Sequence, residues 1–506
     1  MAKNGFRASR GIKRRFIVEA MLELTSPTHL GGSDPYDMLD MPVTRDAATG
    51  KPILYGTTLA GLLRGVLSDR LSGHEKEASV FTFFGGGKNN EDDGEQSAFI
   101  VDDAIAEERD GAVKDAKDLI LTDIRDGVAI DHKTGVAQKG AKFDMELIRA
   151  GTRFPLHFEL VLDGSKDVEL ISCLVTCMDA LEKGEVLLGA RNRKGFGRCV
   201  IARSDSDNCR WEVRDFNVTT KEGLLQWVAF GHKAGLPKGC PENKPAYFES
   251  TEKFLQSALH KVSHACAVYQ NPPSVFMVTI HLKVGASILI KSGGHSPDEA
   301  DATHLTAFDV KGKPTPIISG TTLGGLLRAR ALKIANTFDS TENKAIAGNM
   351  VNALFGNRDT GAGVKPKAGR LYVEERPIHG PSPLRHTRVM IDRWTGGALE
   401  HHLFDADAQF GGKTKIVFRI VSPDEPEIGL MLCVVKDLFT GDLPIGSESS
   451  IGRGRLLGET AEITYDNNTW TLHGNENRTF TVEERGEPLQ VYVDKFLAIF
   501  GHKKHP

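Results

Sequence analysis

Carboxylate residues are concentrated in one loop of each half of the chain. The loops read GGSDPYDMLDMPVTRD and GGHSPDEADATHLTAFD, and their carboxylates are Asp34, Asp37, Asp40 and Asp46, then Asp298, Glu299, Asp301 and Asp309. Such groups can hold a divalent cation or handle a proton beside a phosphate. Because Asp, Ser, Pro and Gly also favour solvated turns, the loops alone leave a purely structural interpretation open.

A decapeptide that suits phosphate binding follows each acidic loop. GTTLAGLLRG at 56–65 and GTTLGGLLRA at 320–329 agree at eight of ten positions. Leucine spacing predicts a helix, whose first turn offers free amide donors, a positive dipole end and threonine hydroxyls. The candidate phosphate contacts are Gly56, Thr57, Thr58 and Arg64, and Gly320, Thr321, Thr322 and Arg328. A capped core helix with a solvated arginine is the alternative.

A glycine-rich segment near the end of each half is the second candidate for backbone recognition. GARNRKGFGR at 189–198 carries Arg191, Arg193, Lys194 and Arg198, and GSESSIGRGR at 446–455 carries Arg453 and Arg455 but also Glu448. Glycines allow close approach of a ligand, and cations suit a phosphodiester backbone. A glycine-rich turn with solvated charges is again the alternative.

These paired motifs are collinear, which predicts a tandem duplication. FFGGG and LFGN, then AIDHKTG and MIDRWTG, also recur in the same order, so that all anchors are separated by 257–271 residues. This period is far longer than a solenoid repeat. We predict a first module at 1–205, a structured connector at 206–272, a second module at 273–465 and a strand and helix extension at 466–506.

The elements that position these motifs alternate between strands and helices. RRFIVEAMLEL and SVFMVTIHLKV each open a module as a strand, the decapeptide begins a helix, and VELISCLVTCMDALEKG predicts a late helix before the glycine-rich segment. This pattern predicts an α+β fold with two tandem ferredoxin-like modules.

Composition excludes several classes of protein. The 506 residues carry a formal net charge of −4 with 26% charged residues, so no global basic signature is present. No run of about 18 apolar residues predicts a membrane span, and the seven cysteines form no Cys-x-x-Cys motif. We therefore expect a cytoplasmic protein with no membrane partner.

The order of the motifs resembles a backbone subunit of type III CRISPR effector complexes, in the RAMP superfamily. Two copies in one chain resemble the fused subunits of the type III-D group. The resemblance implies an RRM-like ferredoxin core in which the decapeptide and the glycine-rich segment bind RNA. It also implies a β-hairpin thumb inserted in each module, at IRDGVAIDHKTGVAQKG and HTRVMIDRWTGGALE, with Arg125 and Arg388 as further RNA contacts. The thumbs would splay nucleotides of an RNA bound along the subunits.

The resemblance also implies a reaction. Asp40, shortly before a Pro-Val pair, matches the aspartate that promotes cleavage of target RNA with Mg²⁺ or another divalent cation. Its equivalent in the second module is expected between Ala302 and His304 by length. Asp301 is the nearest carboxylate, Asp298 and Glu299 are the alternatives, and no metal ligands are assigned. The implied partners are a CRISPR guide RNA, complementary target RNA and other type III effector subunits.

Three functions are consistent with these residues. The first is a guide-RNA-binding subunit whose loop aspartates cut complementary RNA at regular spacing. The second is a scaffold that binds guide RNA without catalysis. The third is a metal-independent endoribonuclease that processes guide precursors, for which a histidine base would be expected, and no duplicated histidine is visible.

Overall fold

The computed structural model describes most of the chain. The described residues are 11–32, 39–71, 74–86, 96–107, 121–131, 134, 136–204, 208–230, 243–261, 266–270, 273–292, 300–341, 344–357, 365–475 and 477–501. Four carboxylates of the acidic loops, Asp34, Asp37, Asp298 and Glu299, lie outside these residues.

The first module packs two long helices on one face of an antiparallel sheet. Its strands are β1 (Arg14–Leu24), β2 (Ile53–Leu54), β3 (Phe99–Val101), β4 (Ala104–Ile105), β5 (Thr122–Ile130), β6 (Ala137–Ile148), β7 (Arg153–Leu162) and β8 (Cys199–Ile201), and its helices are α1 (Gly56–Leu71), α2 (His74–Phe84) and α3 (Asp167–Glu182). The sheet runs β8-β1-β7-β3. Alternate residues of β1 and the leucine stripe of α1 are buried in one shared core.

The segment predicted as a structured connector continues this sheet. It contains β9 (Trp211–Asn217), α4 (Lys221–Ala229), β10 (Ala246–Phe248) and α5 (Thr251–Lys261). Strand β9 pairs with the first half of β1, from Arg14↔Asn217 to Glu19↔Glu212, because the short β8 leaves that half unpaired. Trp211 and Phe254 are buried in the core of the first module.

The second module repeats this arrangement. Its strands are β11 (Val275–Val284), β12 (Ser287–Ile288), β13 (Lys291–Ser292), β14 (Ala302–His304), β15 (Thr306–Phe308), β16 (Pro314–Ile318), β17 (Gly356–Asn357), β18 (Lys367–Ala368), β19 (Leu371–Val373), β20 (Arg376–His379), β21 (Ser382–Ile391), β22 (Ala398–Phe410), β23 (Lys413–Val421) and β24 (Leu456–Tyr465), and its helices are α6 (Gly320–Phe338), α7 (Ala345–Phe355) and α8 (Glu425–Phe439). The sheet runs β24-β11-β23-β19, all antiparallel.

The C-terminal extension adds β25 (Asn468–Gly474), β26 (Phe480–Arg485) and α9 (Leu489–Ala498). Strand β25 pairs with β24, and Tyr492 and Phe496 of α9 are buried in the second core. Among the described helices, none has the length and apolar character needed to span a membrane.

A long two-stranded hairpin projects from each module at the position predicted for a thumb. The hairpins are β5–β6 and β21–β22, and the pairing of each shifts once, after Val128 and after Val389. Both carry exposed apolar side chains, and Trp394 at the end of the second is 88% exposed.

Candidate nucleic-acid interface

The loop aspartates Asp40 and Asp301 occupy equivalent positions. Asp40 Oδ2 accepts a hydrogen bond from the backbone N–H of Asp144 over 3.0 Å, and Asp301 Oδ2 accepts one from Asp405 over 2.9 Å. In both modules the two partners are 104 residues apart. The counterpart of Asp40 is therefore Asp301 itself, one to three residues before the position expected from length.

Parallel pairing with the hairpin fixes each carboxylate. Met41 bridges to Met145 on β6, and Ala302 pairs with Ala406 on β22. The chain thus passes beside the second strand of each hairpin immediately after the aspartate. Asp40 and Asp301 remain exposed, so a ligand can reach them.

The hairpin aspartates were missed by sequence reasoning. Asp144 and Asp405 lie 261 residues apart, the same interval that separates Asp40 from Asp301, and this shared interval was the available signal. Both are half-buried. Oδ1 of Asp405 is buried and has no hydrogen-bond partner within the described part of the chain.

The described carboxylates do not form a metal site by themselves. Within the described ranges, no three His, Cys, Asp or Glu side chains converge. In each module one exposed loop carboxylate, Asp40 or Asp301, is held by the backbone N–H of a hairpin aspartate. Mg²⁺ commonly binds one or two carboxylates and completes its octahedral shell with phosphate oxygens and water, so the loop carboxylate suits this cation only together with a phosphate ligand.

The two glycine-rich turns have the same backbone. Arg191 and Glu448 both adopt the left-handed region, with φ of 56° and 61°, and each precedes a short 3-10 turn, Asn192–Lys194 or Ser449–Ile451. The following glycines match as well, with φ of 94° at Gly195 and Gly452. The duplicated glycines therefore serve one turn geometry.

The side chains at the left-handed position carry opposite charges. The Arg191 guanidinium lies 4.2 Å from the centre of the Phe143 ring and 3.9 Å from Met41 Sδ, and these residues adjoin Asp144 and Asp40 in sequence. A cation is thereby placed next to the segments that carry Asp40 and Asp144.

Glu448 instead closes an ion-pair cluster. It accepts a hydrogen bond from Arg388 over 2.8 Å and forms an ion pair with Arg453 Nε at 3.1 Å. Arg453 Nη2 also lies 2.9 Å from His386 Nδ1. Arg388 and Arg453 therefore share one carboxylate within the second module.

Several predicted RNA contacts lie where the two modules meet. Arg125 forms a two-point ion pair with Glu375, at 2.6 and 3.3 Å, and both side chains are less than 10% exposed. Arg198 pairs with Glu374 at 2.5 Å, and burial lowers the pKa of this guanidinium. These two charges are satisfied by the second module.

The backbone of the first glycine-rich turn also meets the second decapeptide helix. A Cβ atom at Gly320 would lie 2.1 Å from the Lys194 carbonyl oxygen, so glycine is required there by contact between modules. Arg193 of the same turn lies 5.2 Å from the ring centre of Tyr372. Contact between the modules therefore explains the glycine that begins the second decapeptide.

The RAMP superfamily model matches residues 21–200 and 281–456. The chain belongs to the RAMP superfamily. Each match ends shortly after the glycine-rich turn, so the two RAMP modules are the two copies of the duplication. Membership indicates a CRISPR-associated RNA-binding subunit. No curated protein matches the chain.

The decapeptide helices of the two RAMP modules differ at their first turns. In the first, Thr57 and Thr58 are exposed, and the Gly56 N–H donates to Asp103 Oδ1 over 2.7 Å. In the second, the cap is Ser319, whose side chain accepts from the Thr322 N–H. Thr321 and Thr322 are only partly exposed. The hydroxyl cap of the second helix therefore comes from the residue before the duplicated peptide, whereas Asp103 supplies the acceptor in the first.

The arginines of the two decapeptides are turned towards the protein. Arg328 donates to the Gly356 carbonyl over 2.8 Å and to Asn352 Oδ1 over 2.7 Å, and Arg64 lies 5.2 Å from the Phe81 ring centre. Arg328 therefore fixes the loop after α7. Arg455 is exposed at the end of the second turn.

Proposed function

We propose that this chain is a guide-RNA-binding backbone subunit of a type III CRISPR ribonucleoprotein. In this proposal two ferredoxin-like, RRM-like modules are fused as in the type III-D group, and loop aspartates cleave complementary target RNA at regular spacing. The partners are guide RNA, target RNA and other type III effector subunits. The family match and the duplicated site support the assignment.

The strand order supports the ferredoxin-like assignment. In chain order, β1, α1, β3, β7, α3 and β8 form a βαββαβ unit with antiparallel order 4-1-3-2, and β11, α6, β19, β23, α8 and β24 form a second. Exposed apolar residues on both hairpins, including Trp394, support a role in wedging between bases, because every base has a face on which such side chains can stack.

The identical anchoring of Asp40 and Asp301 is the observation that carries the proposal for cleavage. A main-chain amide holds one oxygen of each carboxylate, which leaves the other free to face a ligand. In both modules an exposed loop carboxylate is anchored to the second strand of the hairpin, which favours a repeated activity. A solvated turn would not require the same hydrogen bond in both modules.

The chain's residues supply the remaining parts of the reaction. A splayed nucleotide aligns its ribose 2′-hydroxyl with the next phosphorus, so that the 2′-O–P bond forms as the P–O5′ bond breaks. Asp40 or Asp301 takes the 2′-hydroxyl proton, and the leaving 5′-oxygen gains one from solvent. Arg191 stabilises phosphate charge at the first site. A divalent cation held by the aspartates would supply further charge stabilisation.

The test is cleavage of matched target RNA by the assembled complex. Asp40→Ala is expected to slow one cut by about 10²–10⁴-fold, and Asp301→Ala the neighbouring cut, while target affinity stays unchanged. EDTA should abolish both. Asp46→Ala, a change of a half-buried aspartate further along the same loop, is the matched control.

Other outcomes would replace the proposal. Retention of every cut in the Asp40→Ala/Asp301→Ala double variant would indicate a non-catalytic scaffold. Cleavage of guide precursor in EDTA would instead indicate the metal-independent processing enzyme.

A further inference from the structure

The contact between the two modules joins a surface with arginines to a surface with carboxylates. On one side are the first glycine-rich turn and Arg125 from the hairpin. On the other are the N-terminus of α6 and the pair Glu374–Glu375, which follows β19. A turn that carries arginines therefore fits a helix N-terminus flanked by two carboxylates.

The first module has an uncovered copy of the acidic side. Strand β3 pairs with β7 as β19 pairs with β23, so Asp102 and Asp103 follow β3 as the two glutamates follow β19. Asp102 is 57% exposed, with His157 Nε2 4.0 Å away. Together with the exposed Thr57 and Thr58 at the start of α1, these aspartates form a surface that we call the acidic face.

We infer that the acidic face docks a glycine-rich turn carrying arginines, presented by a RAMP-type module of a different chain. The same kind of surface is occupied by such a turn inside this chain, where two carboxylates each receive an arginine. This inference rests on the proposed function, and it names the site where a neighbouring subunit attaches.

The second glycine-rich turn of another copy does not fit this role. His386 lies at the position equivalent to Arg125, and Ser450 replaces Arg193. Arg453 stands where the first turn has Phe196 and is held by Glu448. Arg455 alone retains the charge of its counterpart, Arg198. A second copy would bring one arginine to the acidic face, so the occupant is a different polypeptide.

An exchange of two residues tests this charge complementarity in the intact chain. In the first module Arg125 lies 5.4 Å from the Phe196 ring centre. The double variant His386→Arg/Arg453→Phe recreates that pair in the second turn at nearly constant net charge. In sedimentation velocity without RNA, the wild type is expected to remain monomeric. The variant is expected to associate with rising concentration, and added salt should reverse this.

Further changes assign the association to the acidic face. Adding Asp102→Lys/Asp103→Asn should restore the monomer, whereas adding Glu252→Lys, which alters an exposed carboxylate on α5, should not. A folded exchange variant that stays monomeric, association that survives Asp102→Lys/Asp103→Asn, or self-association of the wild type through this face would each overturn the inference.

Native mass spectrometry of the assembled ribonucleoprotein provides a second measurement, even if the exchange variant does not fold. Asp102→Lys/Asp103→Asn should release the subunit next to the first module while guide RNA remains bound, and Glu252→Lys should release nothing. A complete assembly with Asp102→Lys/Asp103→Asn would contradict the inference. Because these measurements monitor association, their failure is distinguishable from a failure of the cleavage proposal.

Discussion

The two glycine-rich turns have one backbone and two different surroundings. The first turn contacts the second module and sends Arg198 to Glu374, whereas the second keeps Arg453 within its own module by pairing it with Glu448. A non-glycine residue in the left-handed region costs about 1 kcal/mol, and both turns retain one. The two copies thus kept the same turn geometry. Their charged side chains differ because the first turn contacts the second module and the second turn pairs within its own module.

The largest expected effect on stability comes from breaking the buried contact of the first turn. Glu375→Ala leaves the Arg125 guanidinium buried without its partner, so we expect the free energy of unfolding to fall by about 3–5 kcal/mol. Denaturant unfolding of the full chain measures this change. Glu483→Ala, which removes an exposed ion pair with Arg485, should change it by less than about 1 kcal/mol. Equal losses of unfolding free energy in Glu375→Ala and Glu483→Ala would contradict this expectation.

Acid should weaken the second module more than the first. Burial lowers the pKa of His304 to about 4, whereas the position equivalent to this residue is Val43 in the first module. On acidification, the unfolded chain therefore binds a proton at this histidine before the folded chain does. The free energy of unfolding falls between about pH 6.5 and pH 4, by about 3 kcal/mol in total. Thermal unfolding across this range should lose much of its pH dependence in His304→Val.

The first module contains a histidine whose pKa is shifted in the opposite direction. A hydrogen bond with Glu19 raises the pKa of His157, so its contribution is fully present below about pH 6.5 and is lost as pH rises through the folded pKa. His157→Gln should therefore leave the acid loss of the second module intact. An equal acid response in His304→Val and wild type would contradict the assignment.

The arginines of the first turn should contribute unequally to RNA binding. Arg191 lies beside the Asp40 loop, whereas Arg193 lies against Tyr372 of the second module. Arg191→Ala should lower the slope of log affinity against log salt by about 0.7–0.9, the value for one phosphate contact. Arg193→Ala is the matched control, and filter binding over a salt series measures both. Equal slope changes would show that both arginines bind phosphate.

The smallest expected effect is a gain of phosphate contact in RNA binding. Glu448→Ala removes the carboxylate that Arg388 and Arg453 share, so the second turn should acquire a cation available to phosphate. We expect the same salt slope to increase by up to about one contact. A reduced slope would instead indicate that Glu448 holds these arginines in their binding positions.

Local repetition made much of the molecule predictable. The interval of 261 residues between IDHKTG and IDRWTG also relates Asp40 to Asp301 and Asp144 to Asp405, because one hairpin strand anchors each loop. The alternating pattern of β1 and the leucine stripe of α1 similarly predicted a strand and a helix with one buried face.

Contacts between distant segments were not predictable in the same way. Arg125 and Glu375 are 250 residues apart, and neither stands in a sequence pattern that identifies its partner. The pairing of β9 with β1 likewise follows from the three-residue length of β8, which the sequence does not reveal. From the sequence alone, the arginines of the first turn were therefore predicted as RNA contacts, whereas the structure shows that Arg193 and Arg198 contact the second module.

The ion pair between Arg125 and Glu375 has a consequence during biosynthesis. The arginine leaves the ribosome 250 residues before its partner, which corresponds to roughly 12–50 s at about 5–20 residues per second. The first module has time to fold within this interval, with its glycine-rich turn still open to solvent and to other anions. A translational pause after residue 272 would lengthen the interval, and synthesis of Glu375 allows the second module to close over the turn.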